Sequence, residues 1–105
     1  MSTQLFRNQT ALITGAGIGI GFAIANALAQ QGANVFLNDF DETLARQAAD
    51  RIRQGGGMCE FYPGDASDVT FIEQMVEKAA SRFGSVDIAI ANAGITVFGD
   101  IFTTT

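Results

Sequence analysis

Several residue types are rare or absent in this chain, and each absence excludes a class of chemistry. The 105 residues contain no histidine, and they contain one cysteine, one tyrosine and one lysine. Without histidine there is no His-based acid–base pair or Ser-His triad, and no metal site is predicted. A lone cysteine cannot form a disulfide within the chain, so Cys59 is expected to be a small buried apolar residue.

Positive charge and long apolar runs are scarce as well. Six basic residues against eleven acidic ones give a net charge of −5, and the basic residues are scattered. No nucleic-acid partner is therefore expected. No apolar stretch approaches the roughly 18 residues of a membrane span, and no signal-peptide pattern occurs, so we expect no membrane partner and a cytoplasmic location.

Apolar runs and helical patterns alternate along the chain and predict a single α/β domain. Strands are predicted at 10–14, 34–38, 58–62 and 86–91. A first helix is predicted at 20–31, and two more are capped by Asp41 and Asp68 and stopped by the glycines at 55–57 and by Gly84. The order βαβαβαβ favours a parallel sheet with helices on both faces. The predicted inward-facing helix residues are Ala23, Ile24, Ala27 and Leu28, then Leu44, Ala48 and Ile52, then Ile72, Val76, Ala79 and Phe83.

The segment 14–21 reads TGAGIGIG and joins the first strand to the first helix. Glycines let a backbone approach a phosphate closely, and a helix start offers free N–H groups and a partial positive charge. The common G-x-G-x-x-G pattern fails because Ile20 and Phe22 stand where its third glycine would be. A phosphate loop of the Walker type is excluded because no Gly-Lys-Ser/Thr follows. A tight turn without a ligand is the alternative.

Polar residues follow the other strands, at the edge where parallel sheets bind ligands. Asp39 is placed to accept hydrogen bonds from a ribose, although a solvated loop aspartate or a helix cap would use the same residue. Asp65 is placed to face an adenine, although it could instead bond its own backbone in a turn. The segment 91–94 reads ANAG and permits close backbone approach, as an ordinary turn would.

Together these segments resemble the N-terminal half of a short-chain dehydrogenase/reductase, whose glycine signature T-G-x-x-x-G-I-G is complete at 14–21. The resemblance covers about residues 5–105 and implies an incomplete Rossmann-type sheet of four strands and three helices. It implies NAD as the cofactor, less readily NADP, with Asp39 setting the preference. The glycine turn would surround the adenosine ribose and pyrophosphate, Asp65 and Ala66 would contact adenine, and the last three residues of ANAG would line the nicotinamide ribose. The implied cofactor-binding residues are Gly15, Gly17, Ile18, Gly19, Ile20, Asp39, Asp65, Ala66, Asn92, Ala93 and Gly94.

The chain departs from the family pattern at two points. Ala91 stands where the family has the first asparagine of N-N-A-G. The family's catalytic serine, Tyr-x-x-x-Lys pair and further asparagine have no match, since Ala66 and not a lysine lies four residues after Tyr62. No catalytic residue is predicted, and the chain is expected to be the truncated cofactor-binding part of one domain, inactive alone.

The resemblance implies hydride transfer between NAD(H) and a small-molecule carbonyl or secondary alcohol in the intact enzyme, which would be a homo-oligomer. A stand-alone, non-catalytic dinucleotide-binding module is the alternative. A fold of the S-adenosylmethionine-binding type is disfavoured, because Ile13 and Thr14 stand where an acidic residue would precede the glycines.

Overall fold

A computed structural model describes residues 5–92, which form a four-stranded parallel sheet with helices on both faces. The elements in chain order are β1 (Thr10–Thr14), α1 (Gly19–Gln30), β2 (Asn34–Leu37), α2 (Glu42–Gln54), β3 (Met58–Phe61), α3 (Val69–Phe83) and β4 (Ile88–Ala91). The strands lie in the order β3-β2-β1-β4. The predicted βαβαβαβ fold is confirmed.

The two faces of the sheet carry different helices, because successive strand residues point to opposite sides. On one face Ile13, Val35 and Cys59 pack with the alanines of α1 and α2. On the other face Leu12 and Phe36 pack with α3. In residues 5–92 no helix is long and apolar enough to cross a membrane.

The bounds of β4 differ from the prediction at its start. The strand begins at Ile88 rather than at residue 86. Asp87 precedes it and binds β1 twice: its backbone N–H donates to the Thr10 carbonyl at 2.9 Å, and its carboxylate accepts from the Thr10 N–H at 2.8 Å. A side chain that bonds the neighbouring strand replaces regular pairing here. β2 and β3 each end one residue before the predicted position.

The predicted inward face of α1 is wrong for two of its four residues. The fully buried residues are Gly21, Ala25 and Ala29, whereas Ala23 and Ala27 are exposed. Ile24 and Leu28 are partly buried at the margin of the core. Apolar residues occur almost all round this helix, so the size of the side chain and not its hydropathy decides which face meets the sheet. Small residues at i, i+4 and i+8 let the helix approach β1 and β2 closely.

The caps of the other two helices are confirmed. The Asp41 side chain accepts from the Leu44 N–H, and the Asp68 side chain accepts from the N–H groups of Thr70 and Phe71. Gly84 ends α3 in the left-handed conformation, with φ of 96°. The inward faces are partly corrected. Leu44, Val76 and Phe83 are only partly buried, while the fully buried residues also include Ala45, Ala49 and Met75.

The outer edge of β3 is covered by charged side chains from both faces. Arg53 of α2 donates through Nε to the Cys59 carbonyl at 2.8 Å. Its guanidinium lies 3.5 Å from Glu60, whose other oxygen lies 3.2 Å from Arg82 of α3. Exposed ion pairs of this kind add little stability. Charges at a sheet edge do oppose the addition of another strand.

Cys59 lies fully inside the core, as predicted. Burial raises the pKa of its thiol from 9.0 to about 12, against a smaller opposing effect of the Arg53 charge. The thiol is therefore protonated and unreactive at neutral pH, since the thiolate is the nucleophilic form.

The revised face of α1 predicts a difference between two alanine substitutions. Ala25→Leu should lower the free energy of unfolding by about 1–3 kcal/mol, because it overpacks the contact between helix and sheet. Ala27→Leu, two residues away on the exposed side, should change it by less than about 0.5 kcal/mol. Chemical denaturation of the protein measures both changes in the free energy of unfolding. Equal effects of the two changes would contradict the observed orientation.

Candidate functional site

The turns after the strands of the parallel sheet meet at one edge and enclose a small cavity. Its volume is about 230 Å³. The lining residues are Gly15, Asn38, Asp39, Phe40, Gly64, Asp65 and Ala66. Four of the predicted site residues, from three separate turns, therefore line one cavity. The other predicted residues described by the structure are not among the lining residues and lie along the glycine turn (Gly17, Ile18, Gly19 and Ile20) and after β4 (Asn92).

The glycine turn leaves no room for side chains at two of its positions. A Cβ at Gly17 would lie 2.7 Å from an Asp39 carboxylate oxygen and 2.8 Å from the Leu44 Cβ. A Cβ at Gly21 would lie 2.5 Å from the Gly15 carbonyl oxygen. Gly15 and Gly19 adopt left-handed conformations, with φ of 62° and 67°. Packing thus requires glycine at two positions and backbone conformation favours it at two others.

The start of α1 is built differently from the starts of the other helices. Its N-cap residue, Ile18, makes no side-chain capping bond within the described residues, whereas α2 and α3 begin at capping aspartates. Ile18 and Ile20 are both exposed on the turn. The first N–H groups of a helix need partners from outside it. Here they suit an anion such as a phosphate.

Asp39 is held against the glycine turn. One carboxylate oxygen accepts from the Gly17 N–H at 2.9 Å, and the other accepts from the Asp41 N–H at 3.0 Å. The cap of α2 is Asp41 and not Asp39. The helix-cap interpretation of Asp39 is therefore wrong. A carboxylate fixed in this way keeps lone pairs that can accept hydrogen bonds from hydroxyl groups.

The Asp65 carboxylate is bonded to Ser67, two residues further along the chain. One carboxylate oxygen accepts from the Ser67 N–H at 2.9 Å and from the Ser67 hydroxyl at 2.6 Å. These two bonds lower the pKa of Asp65 below its usual 3.8. The local-turn interpretation of Asp65 is thus present in the structure, and the residue also lines the cavity. The adjacent Ala66 is buried against α3.

Three lining residues were not predicted as site residues from the sequence: Asn38, Phe40 and Gly64. Phe40 lines the cavity and exposes 77% of its surface, which is unusual for a phenylalanine. Asn38 is buried, and its side chain bonds three backbone groups in the two turns that follow β1 and β3. The available signal for Asn38 was a polar residue at the end of an apolar strand. A buried amide must find partners, and only the strand ends are near enough to supply them.

Asn92 follows β4 and contacts the glycine turn. Its side-chain amide donates to the Gly15 carbonyl at 3.0 Å. The predicted site residues Ala93 and Gly94 lie outside the described residues. Ala91, the departure from the family pattern, pairs in register with Thr14. The Thr14 hydroxyl is buried and makes no hydrogen bond within the part of the chain that the structure describes.

The described lining of the cavity contains hydrogen-bond acceptors and an aromatic side chain, and it contains no Ser, Tyr, Lys or His. Tyr62 stacks on Phe71, with ring centroids 5.1 Å apart, and also packs against Phe36. Its role as a structural residue is consistent with this packing. In the described part of the chain, no three His, Cys, Asp or Glu side chains are grouped to hold a metal ion.

Comparison with known proteins gives consistent matches. A sequence profile of the short chain dehydrogenase family matches residues 9–105. The chain is 40% identical over 96 residues to an uncharacterized oxidoreductase of Thermotoga maritima, covering 91% of this chain and 38% of that protein. It is 45% identical over 93 residues to the D-beta-hydroxybutyrate dehydrogenase of Cupriavidus necator, covering 87% and 35%.

Solved structures agree with these matches. A hydroxysteroid dehydrogenase from Escherichia coli superposes with a TM-score of 0.80 at 33% sequence identity, covering 84% of this chain and 37% of that one. The chain therefore spans less than two-fifths of the length of each of these three proteins.

The bonds from Ser67 predict the acid behaviour of Asp65. In Ser67→Ala the hydroxyl bond is lost and the backbone N–H remains, so the pKa of Asp65 should rise toward 3.8. The depressed pKa gives a contribution to stability that is present above pH 3.8 and is lost as the pH falls through the lower, folded-state pKa. NMR titration of the carboxyl carbons measures the shift. Ser85→Ala, which removes the equivalent bond to Asp87, is the control and should leave the Asp65 titration unchanged.

Proposed function

Because the chain belongs to the short-chain dehydrogenase family, we propose that it forms the cofactor-binding half of an oxidoreductase. The reaction is hydride transfer between NAD(H) and a carbonyl or secondary alcohol of a small molecule. One observation carries the proposal: the uncapped start of α1 follows a glycine turn that also holds the Asp39 carboxylate. That arrangement offers donors for phosphates beside an acceptor for ribose hydroxyls.

The residues of the cavity fit the parts of a dinucleotide. The turn from Gly15 to Ile20 would surround the pyrophosphate. Its donors would be the N–H groups from Ile18 to Ile20, because those of Gly15, Ala16 and Gly17 already donate to Asn38 and Asp39. The Asp39 carboxylate would accept from the adenosine ribose, and the cavity beside Asp65 and Ala66 would take the adenine. Phe40 would add an apolar surface for the base. Asn92, with Ala93 and Gly94, would lie toward the nicotinamide ribose.

The charge around the cavity supports NAD over NADP. Two of the lining residues are carboxylates, Asp39 and Asp65, and no lysine or arginine is among them. A 2′-phosphate would meet the negative charge of Asp39 without a cation to offset it. The neutral 2′-hydroxyl of NAD would instead donate a hydrogen bond to that carboxylate.

When bound, NAD(H) would supply the hydride acceptor or donor of the reaction. The described residues would bind and orient it, and they would not move a proton. No Tyr-x-x-x-Lys sequence occurs in the 105 residues. We propose that proton transfer depends on residues outside this sequence and that the 105 residues belong to one larger NAD(P)-binding domain. That the intact enzyme forms a homo-oligomer stays a prediction, and so does its location in the cytoplasm.

A stand-alone dinucleotide-binding module is the second candidate, because the lining of the cavity offers groups that suit binding and contains no Ser, Tyr, Lys or His. It predicts NAD binding by the full-length protein without turnover of any alcohol or ketone. The two candidates are separated by assaying the full-length protein with NAD(H) and a panel of secondary alcohols and ketones. Binding without turnover across the panel would favour the module.

Asp39→Asn should reduce the preference of the full-length enzyme for NAD over NADP. An asparagine can accept from only one of the two N–H groups that Asp39 binds, and it removes the charge. Hydrogen bonds to a charged acceptor contribute about 1.5–3 kcal/mol, so the ratio of kcat/KM values should fall by roughly 10- to 100-fold.

Asp50→Asn is the matched control for this change. It removes the same charge from an exposed position on α2 and should leave the ratio unchanged. Wild-type enzyme with a higher kcat/KM for NADPH than for NADH would contradict the proposed preference.

The 105-residue chain, purified alone, should show no dehydrogenase activity with any secondary alcohol or ketone. The reason is that the sequence contains neither a histidine nor a Tyr-x-x-x-Lys pair to move the proton. Absorbance of NADH at 340 nm follows turnover. Activity that is abolished by Gly21→Ala, where a Cβ would collide with the Gly15 carbonyl, would belong to this chain and would overturn the prediction.

A further inference from the structure

Asn38 is a buried residue at the strand-end edge, and its side chain bonds the turns on both sides of its own strand. Its Oδ1 accepts from the Gly15 N–H at 3.4 Å, in the turn after β1. Its Nδ2 donates to the carbonyls of Tyr62 and Gly64, at 2.9 and 3.2 Å, in the turn after β3. We propose that Asn38 is a positioning residue that sets the adenine side of the cavity against the pyrophosphate-binding turn. This inference rests on the proposed function.

The backbone around Asn38 reinforces the same connections. The Ala16 N–H donates to the Asn38 carbonyl at 2.7 Å, and the Gly64 N–H donates to the Asp39 carbonyl at 3.1 Å. Regular strand pairing ends at Leu37, one residue earlier. Beyond it, the turns after β1 and β3 are joined to this strand by these backbone bonds and by the Asn38 side chain. Asn38 and its neighbour therefore maintain the spacing where the ligand would lie.

Asparagine is suited to this position because it offers a donor and an acceptor at once. The Gly15 N–H needs an acceptor, and the carbonyls of Tyr62 and Gly64 need donors. Aspartate could satisfy the first but would place a charge against the two carbonyls. Alanine would leave all three backbone groups without this partner.

A further bond extends the connection to the last strand. The Gly15 carbonyl accepts from Asn92, so the two sides of the Gly15 residue are bonded by asparagines at the ends of β2 and β4. Turns after all four strands are linked in this way. A shift in the position of the turn after β3 would therefore be transmitted through Asn38 to the glycine turn.

The first test is NAD binding to the full-length protein, measured by calorimetry with Asn38→Ala. We expect the Kd for NAD to rise about 10- to 100-fold, as the loss of buried hydrogen bonds implies. The Kd is referred to the folded fraction, determined by circular dichroism at the same temperature. Asn34→Ala, the same change at the other end of β2, is the control and should leave the Kd within about twofold, since Asn34 lies away from the cavity.

The second test uses Asn38→Asp, whose carboxylate faces two carbonyls at neutral pH. Burial and those carbonyls should raise the pKa of the new carboxyl, so that it is protonated as the pH falls from 8 to 5. The protonated form can donate one hydrogen bond. The ratio of the Kd for NAD of Asn38→Asp to that of wild type should therefore fall several-fold as the pH is lowered from 8 to 5. The other charged groups lining the cavity are Asp39 and Asp65. Both are present in wild type, Asn38→Asp and Asn38→Ala, so their titration contributes to all three pH profiles.

The outcomes separate this inference from the proposed function. Wild-type protein that fails to bind NAD would overturn both. Wild-type binding with an unchanged Kd in folded Asn38→Ala would overturn the positioning role alone, and lowered thermal stability by itself would then mark Asn38 as structural. If Asn38→Ala does not fold, Asn38→Asp decides: affinity independent of pH, relative to wild type, would overturn the role.

Discussion

The close approach of α1 to the turn after β1 is the constraint on which the rest of the structure depends. At Gly21 a Cβ would lie 2.5 Å from the Gly15 carbonyl, so the helix can start where it does only with glycine there. Ala25 and Ala29 continue the same contact along the helix. Because these residues are small, the helix start lies at the strand ends and not above the sheet. Its N–H groups and the Asp39 carboxylate can then serve one ligand.

The elements of the fold could be predicted because strong local signals mark them. Aspartates at 41 and 68 cap helices, glycines end them, and four apolar runs predict strands. The inward face of α1 could not be predicted from hydropathy, because nearly every residue of that helix is apolar. Which face of this helix meets the sheet depends on the volume of its side chains, and the local sequence does not show where the sheet lies. The additional buried residues of α2 and α3 were also missed, because their burial likewise depends on how each helix packs on the sheet. These residues are Ala45, Ala49 and Met75.

The site was predictable where a motif supplies its own geometry and not where it depends on distant partners. The glycine turn and Asp39 lie together as the pattern predicts. Asn38 was missed because its three partners come from strands that are separated from it by 23 to 26 residues. The bonds between Asp65 and Ser67 are local, and the sequence analysis did allow for them as an alternative. Long-range hydrogen bonds leave no periodic trace in a sequence.

The two outer strands differ in what they offer to a growing sheet. At β3, Arg53 already binds the Cys59 carbonyl, and Glu60 links helices from both faces across the edge. β4 bears no equivalent charged cover within residues 5–92 and consists of Ile88, Ala89, Ile90 and Ala91. Within residues 5–92, charges therefore oppose the pairing of a further strand beside β3 and not beside β4, so a sheet extended after these residues are synthesised would grow from the later of its two outer strands.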